Sequence, residues 1–390
     1  MCAMNDGALP GAPDPWASSE MPAWRDGPPY AMTEMIEAEP ALTERLVRRL
    51  QSRPTLEAVA GALREAAQDR LAITTTGCGT SQHAAIAVAA LIADALAIAG
   101  LPDDRVIAVQ AFELSRRVPP GGVVVAVSHE GGTAAANDAL RAAAAAGATT
   151  VLITVSDRSP AAALADHLLG TAEQDQSWCH TVGYLSPLVV GACLHGAIRE
   201  ALPPPEATAR QVMAGLDPTA AEGMAARLAS TDRLLVVGSG ADYAAARELA
   251  LKVEEGARLP AVAHELETIR HGHLAAASER TGLVMLLTDA EGRGTGLLDR
   301  AASVLRSVRE LGMPAAVIAA ADVGGAPERA LATAGWQSVN LEPGLPRIVA
   351  AVLGSAVPLQ LLTERLARAR GTNPDTIGRE DPRQAAAASA

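Results

Sequence analysis

Three charged residues in one stretch carry the chemistry most easily read from this sequence. Glu248, Lys252 and Glu255, in ELALKVEE, stand at i, i+4 and i+7, a spacing that sets them along one face of a helix. That face sets two carboxylates against one ammonium group, a cluster whose ionisation burial and mutual charge would tune. The plain alternative is a solvated stripe of ion pairs. Against that, the helix is otherwise rich in Ala and Leu, and Lys252 is the only lysine among 32 Lys and Arg residues.

Two glycine-containing turns supply a different chemistry. Gly77-Cys78-Gly79-Thr80-Ser81 and Ser128-His129-Glu130-Gly131-Gly132-Thr133 each follow an apolar run and precede an Ala-rich one. Hydroxyls and free backbone N–H groups at such strand-to-helix turns are suited to an anion, though the same residues also serve as ordinary N-caps. Trp178 and Tyr184, flanking Cys179, His180 and Gly183, offer amphipathic rings suited to a pocket wall, or else simply pack in a core. His271 and His273 bracket Gly272, but no pair or cluster has metal-ligand spacing, so no metal and no cofactor are expected. A nicotinamide site is excluded as well: neither Gly77-Cys-Gly79 nor Gly238-Ser-Gly240 has a third glycine three residues on.

The elements that must position these groups form a repeat. In the first half, strands at 71–76, 123–127 and 150–155 lead into the two turns and into Ser156-Asp157. In the second, strands at 234–237, 284–287 and 315–319 lead into Gly238-Ser-Gly240-Ala241-Asp242, Thr288-Asp289 and Asp322. Continuous apolar strands alternating with helices predict α/β domains, each a parallel sheet covered by helices on both faces. Residues 31–50 read as two short helices broken before Pro40. The expected division is a disordered extension over 1–29, a first domain over 30–205 ending at Pro203-Pro204-Pro205, a second over 206–370, and a polar tail over 371–390, mobile at its end.

Bulk properties exclude whole classes. With 49% hydrophobic residues the 390-residue chain can build two cores, and with only 2% aromatics those cores must rest on Ala, Val, Leu and Ile. A net charge of −12 argues against nucleic acid and anionic membrane as partners. Cys2, Cys78, Cys179 and Cys193 lack CxxC or disulfide-framework spacing, and neither a signal peptide nor an apolar run of membrane-spanning length is expected. A cytoplasmic protein is the expectation.

The two halves resemble sugar isomerase (SIS) domains. The pair is similar to the isomerase portion of glucosamine-6-phosphate synthase and to related phosphosugar isomerases and deglycases. The resemblance runs from about residue 30 to 383 and rests on the two turns, on Glu248–Glu255, on Arg270-His-Gly272 and on Val357-Pro-Leu-Gln-Leu-Leu362. It implies a flavodoxin-like fold, a sugar or sugar-phosphate substrate and aldose–ketose chemistry through an enediol or enamine. Gly79, Thr80, Ser81, Ser128, His129, Glu130 and Thr133 are then the substrate-binding residues, with Trp178 and His180. Glu255 takes the place of the proton-transferring base, Lys252 of the lysine that holds it and stabilises an oxyanion, and His271 of the ring-opening histidine. That histidine serves a neighbouring subunit in the family, so a homodimer or higher homo-oligomer is implied. Two departures matter. Glu130 stands where the family has a phosphate-binding serine, and the tail has Arg379 and Arg383 but no imine-forming lysine. Glutamine-driven amination is therefore not expected, and a non-catalytic, sugar-binding regulatory role is the alternative.

Overall fold

The computed structural model describes residues 25–289, 296–323 and 329–389. Two helices, α1 (Ala31–Gln51) and α2 (Pro54–Gln68), precede the first sheet. That sheet follows as β1 (Ile73–Gly77), α3 (Thr80–Ile98), β2 (Val106–Gln110), α4 (Ala111–Arg116), β3 (Val123–Val127), α5 (Ala134–Ala145), β4 (Thr149–Thr154) and β5 (His167–Gly170). Helices α6 (Val182–Ile198), α7 (Pro205–Met213) and α8 (Pro218–Leu228) lead to the second. It comprises β6 (Arg233–Val237), α9 (Asp242–Ala257), β7 (Ala261–His264), β8 (Thr281–Leu287), α10 (Leu297–Glu310), β9 (Ala315–Ala320) and β10 (Gly335–Val339), closed by α11 (Arg347–Arg370) and α12 (Pro382–Ser389).

Both sheets are wholly parallel, with orders β2-β1-β3-β4-β5 and β10-β9-β8-β6-β7. Read in chain order the two are the same topology, the flavodoxin-like 2-1-3-4-5 arrangement. One sheet lies on each side of Pro203-Pro204-Pro205. Strands β1, β3 and β8 are buried along their whole length, as parallel strands covered on both faces must be. Helix α3 packs on both α6 and α9, and α9 on α11, so the halves meet through helices rather than through sheet edges.

Two expectations are corrected here. Helix α1 runs unbroken through Pro40. A proline inside a helix costs about 3 kcal/mol. Met32, Ile36, Leu42, Leu46 and Val47 are each at most 3% exposed, and burying each contributes about 1.5–3 kcal/mol, which outweighs the break. Two helices, α3 and α11, are after all long and apolar enough by composition to cross a membrane; α11 is 89% buried over that window and serves as a core helix between the halves. The tail is anchored at its start. Asp375 is buried and accepts hydrogen bonds from the backbone N–H groups of Ala31 (2.8 Å) and Met32 (3.0 Å), capping α1 from the far end of the chain. Of the expected extension, residues 1–24 lie outside the described residues; Arg25 is tied to Glu34, and its carbonyl accepts from Asn373.

The second domain repeats the turn after its first strand, with an acid in place of a hydroxyl. Asp242 is buried, accepting from the Thr288 hydroxyl and from the Asp289 N–H at 3.0 Å. Burial, partly offset by those bonds, pushes its pKa up to about 7. A carboxyl whose folded pKa exceeds its unfolded one favours folding below the unfolded value near 4, and that contribution is lost as pH rises toward 7. Asp242→Asn is therefore expected to flatten the fall in stability between pH 4 and 7. Denaturant midpoints at pH 4.5, 6 and 7.5 check this; parallel curves for the two proteins would contradict it.

Candidate functional site

A cavity of ≈ 250 Å³ opens at the carboxyl ends of β1 and β3, the point where the strand order of the first sheet reverses. Thr80 and Ser81 line it from the start of α3, Glu130 and Thr133 from the turn before α5. Gly77 makes the first turn possible, since a Cβ there would sit 2.6 Å from the Ser81 carbonyl. Gly131, at φ +74°, lies against Ser159 where a Cβ would come within 2.2 Å of Oγ. The hydroxyls do not act as N-caps: neither Gly79 nor Thr133 at the cap positions makes a side-chain bond to its helix.

Helix α9 brings its charged face against this turn from the other domain. Thr80 Oγ1 donates to Glu248 Oε1 at 3.1 Å, and His83 Nδ1 lies 2.8 Å from Glu248 Oε2. Lys252 Nζ sits between the carboxylates, 3.5 Å from Glu248 and 2.5 Å from Glu255. Burial by itself would lower the lysine, but Glu255 and Glu248 outweigh it and hold it well above its ordinary value. Burial would likewise raise Glu248, but Lys252, His83 and Thr80 hold it below the usual carboxylate range. Glu255 behaves differently. Burial raises its pKa, and Lys252 only partly reverses this. The Glu255 side chain is 23% exposed and faces the cavity, while those of Glu248 and Lys252 are no more than 1% exposed.

The remaining wall comes from the segment before α6. Asp175 Oδ1 accepts from the N–H groups of Thr181 (2.9 Å) and Val182 (3.1 Å), and Oδ2 from that of Gly183 (2.5 Å), which anchors the start of α6. The Asp175 N–H donates to His129 Nε2 at 3.1 Å, so the lone pair is on that nitrogen. His180 is 5.2 Å from His129, centroid to centroid, and burial, opposed by Asp175, lowers its pKa to about 4; it is a neutral wall. From the tail come Ile377 and Arg379, the latter with its guanidinium 3.5 Å above the Trp178 ring centroid. The Trp178 backbone N–H donates to the Asp375 carbonyl at 3.0 Å.

Of the residues expected from sequence, Thr80, Ser81, His129, Glu130, Thr133, Trp178, His180 and Glu255 meet at one cavity. Gly79 shapes the turn at φ +55°, and Ser128 is buried beneath the second turn. Lys252 stands behind Glu255, its side chain 1% exposed, and does not line the cavity. Tyr184 is a core residue, 1% exposed. The His271 side chain is 72% exposed, 3.0 Å from Glu267, and does not line this cavity. Sequence reasoning missed Arg379, Ile377, His83 and Asp175. For Arg379 a signal existed, because the family's tail carries a functional cation; for Asp175 nothing in the local pattern marks it.

A model of the SIS domain matches residues 67–194 and 227–324, more than half of the chain. No curated protein matches by sequence. Among solved structures, the chain is similar to the C-terminal domain of glucosamine-fructose-6-phosphate aminotransferase from Francisella tularensis, with TM-score 0.74 and 19% identity over 90% of this chain and 99% of that one. It is similar to tagatose-6-phosphate ketose/aldose isomerase from Escherichia coli, with TM-score 0.71 and 18% identity over 92% and 98%. A third likeness is to glucosamine-6-phosphate deaminase from Thermotoga maritima, with TM-score 0.66 and 16% identity over 89% and 97%.

Proposed function

The chain belongs to the SIS domain family, and on that premise we propose that it is an aldose–ketose isomerase or sugar-amine deglycase acting on a sugar phosphate. The observation that carries this reading is Glu255. Of Glu248, Lys252 and Glu255 it alone faces the cavity, opposite the hydroxyl-bearing turns, with a pKa raised by burial. Its carboxylate takes the proton from C2 of the open-chain aldose and returns it to C1 of the enediol. In the deglycase direction it takes the proton from C1 of the fructosamine and returns it to C2 of the enaminol, and water hydrolyses the resulting C1 imine to release the amine. Lys252 is a positioning residue that fixes Glu255. Thr80, Ser81, Thr133 and Arg379 hold the anionic end of the substrate. His271 opens the ring in the site of a second copy of the chain, which would account for its exposure here. The names of the solved structures support the substrate class: they act on glucosamine, fructose and tagatose 6-phosphates.

A thermal-shift and turnover screen of hexose phosphates, amino-sugar phosphates and fructosamine phosphates tests the proposal. Stabilisation with turnover supports it. Stabilisation by the same ligands without turnover favours the regulatory reading, to which Glu130 in the phosphate-facing turn lends weight. For the ligand that binds, Arg379→Ala is expected to weaken affinity roughly tenfold to a hundredfold, the usual range for one charge-assisted hydrogen bond. Calorimetric titration measures it, and an unchanged dissociation constant would remove Arg379 from the site.

A further inference from the structure

A second cavity, of ≈ 290 Å³, lies at the carboxyl ends of β4 and β5, beside the junction of α1 and α2. Arg49 and Arg53 both line it, together with Thr55, Ser156, Asp157 and Leu168. Neither Arg49 nor Arg53 makes a side-chain hydrogen bond or ion pair among the described residues, whereas Arg45 and Arg48 on the same helix are both paired. Arg49 is held close to the strand end, its Nη2 within 3.6 Å of the point where a Gly170 side chain would begin. With Asp157 counted, the lining carries a net positive charge. Two guanidinium groups in one concavity repel each other unless an anion lies between them, and their planar forks match the oxygens of a phosphoryl group. Helix α2 begins at Pro54 beside them, so its dipole has the same preference. The chain leaves the cavity through Ala172, a non-glycine residue at φ +69°.

The geometry points to a second binding site here for a small phosphorylated molecule, separate from the cavity of Glu255 and independent of any role for it. The two sites lie back to back. Val155, in the wall of the second, donates its N–H to the His129 carbonyl at 2.9 Å, and Thr154 Oγ1 donates to the same oxygen at 3.0 Å.

Hydrogen exchange followed by mass spectrometry, with inorganic phosphate and with a hexose 6-phosphate as probes, tests the site on the whole chain. Both probes are expected to protect peptides spanning 49–57 and 155–170. Arg49→Ala/Arg53→Ala, exposed substitutions outside the Glu255 cavity, is expected to require at least about tenfold more of either probe for the same protection. The single variant Arg53→Gln is expected to show a smaller loss in the same peptides. Absence of protection in the parent protein, or equal protection in the double variant, would overturn the proposal. Protection by the hexose phosphate confined to peptides around 78–83 and 128–134 would do so too, while leaving the Glu255 site intact.

Discussion

Glu255→Gln is expected to lower turnover by roughly 10²–10⁴-fold, the usual share of a positioned general base, while leaving the affinity for sugar phosphate nearly unchanged. The amide keeps the shape of the side chain and can still contact Lys252, so the walls of the cavity stay in place. What it loses is a proton acceptor. The pH profile gives a second check. Glu255 must be ionised to accept a proton, and burial raises its pKa. Activity in the parent protein should therefore rise with pH through a value above that of a free glutamate, and the residual activity of the variant should lack that limb. A variant that keeps the parental turnover and the parental acid limb would assign the base to another group.

The second large effect is structural. Lys252→Met is expected to destabilise the fold by about 3–5 kcal/mol at pH 7, the usual consequence of leaving a buried charge without its partner. The lysine is fully buried between Glu248 and Glu255, and Glu248 has no exposure through which to regain water. The sign of the pH dependence is diagnostic. In the parent, Glu248 is held below its unfolded value, so its contribution is present above about pH 4.5 and is lost as pH falls. Without the lysine the same carboxyl is raised by burial, and stability is lost as pH rises instead. Denaturant melts of Lys252→Met at pH 4.5 and 7.5 should show the smaller deficit at the lower pH. Adding Glu248→Gln should recover part of the loss at pH 7.5. A deficit that is equal at both pH values, and that Glu248→Gln does not relieve, would mean that the lysine acts through packing alone.

The six inner strands are legible in the sequence because each is buried on both faces and so reads as a continuous apolar run. The four strands absent from that reading, β2, β5, β7 and β10, are the four sheet edges. They are half exposed, and VIAVQ or AVAH is a brief run with no glycine turn after it to mark the end of a strand. Helix α1 was misread because Pro40 speaks locally against a helix, whereas the burial that overrides it comes from helices distant in sequence. The site divides the same way. Thr80, Ser81, Glu130, Thr133 and Glu255 belong to local turns or to one helical period, and those can be read directly. Asp175 anchors α6 across an irregular loop and meets His129 across the fold, and Arg379 meets Trp178 from the tail, so no helical or strand spacing announces them.

The anchored tail sets an order of events during synthesis. Asp375 caps the first helix of the fold, and Arg379 and Ile377 complete the wall of a cavity whose other parts are translated earlier. The first domain can gather its sheet while the ribosome is still working, as domains generally do. It then waits with an uncapped helix and an incomplete cavity wall until residues 375–379 emerge. Closure of the site thus follows translation of this segment, and a cut just after Gly371 would loosen helix α1 and open the cavity together.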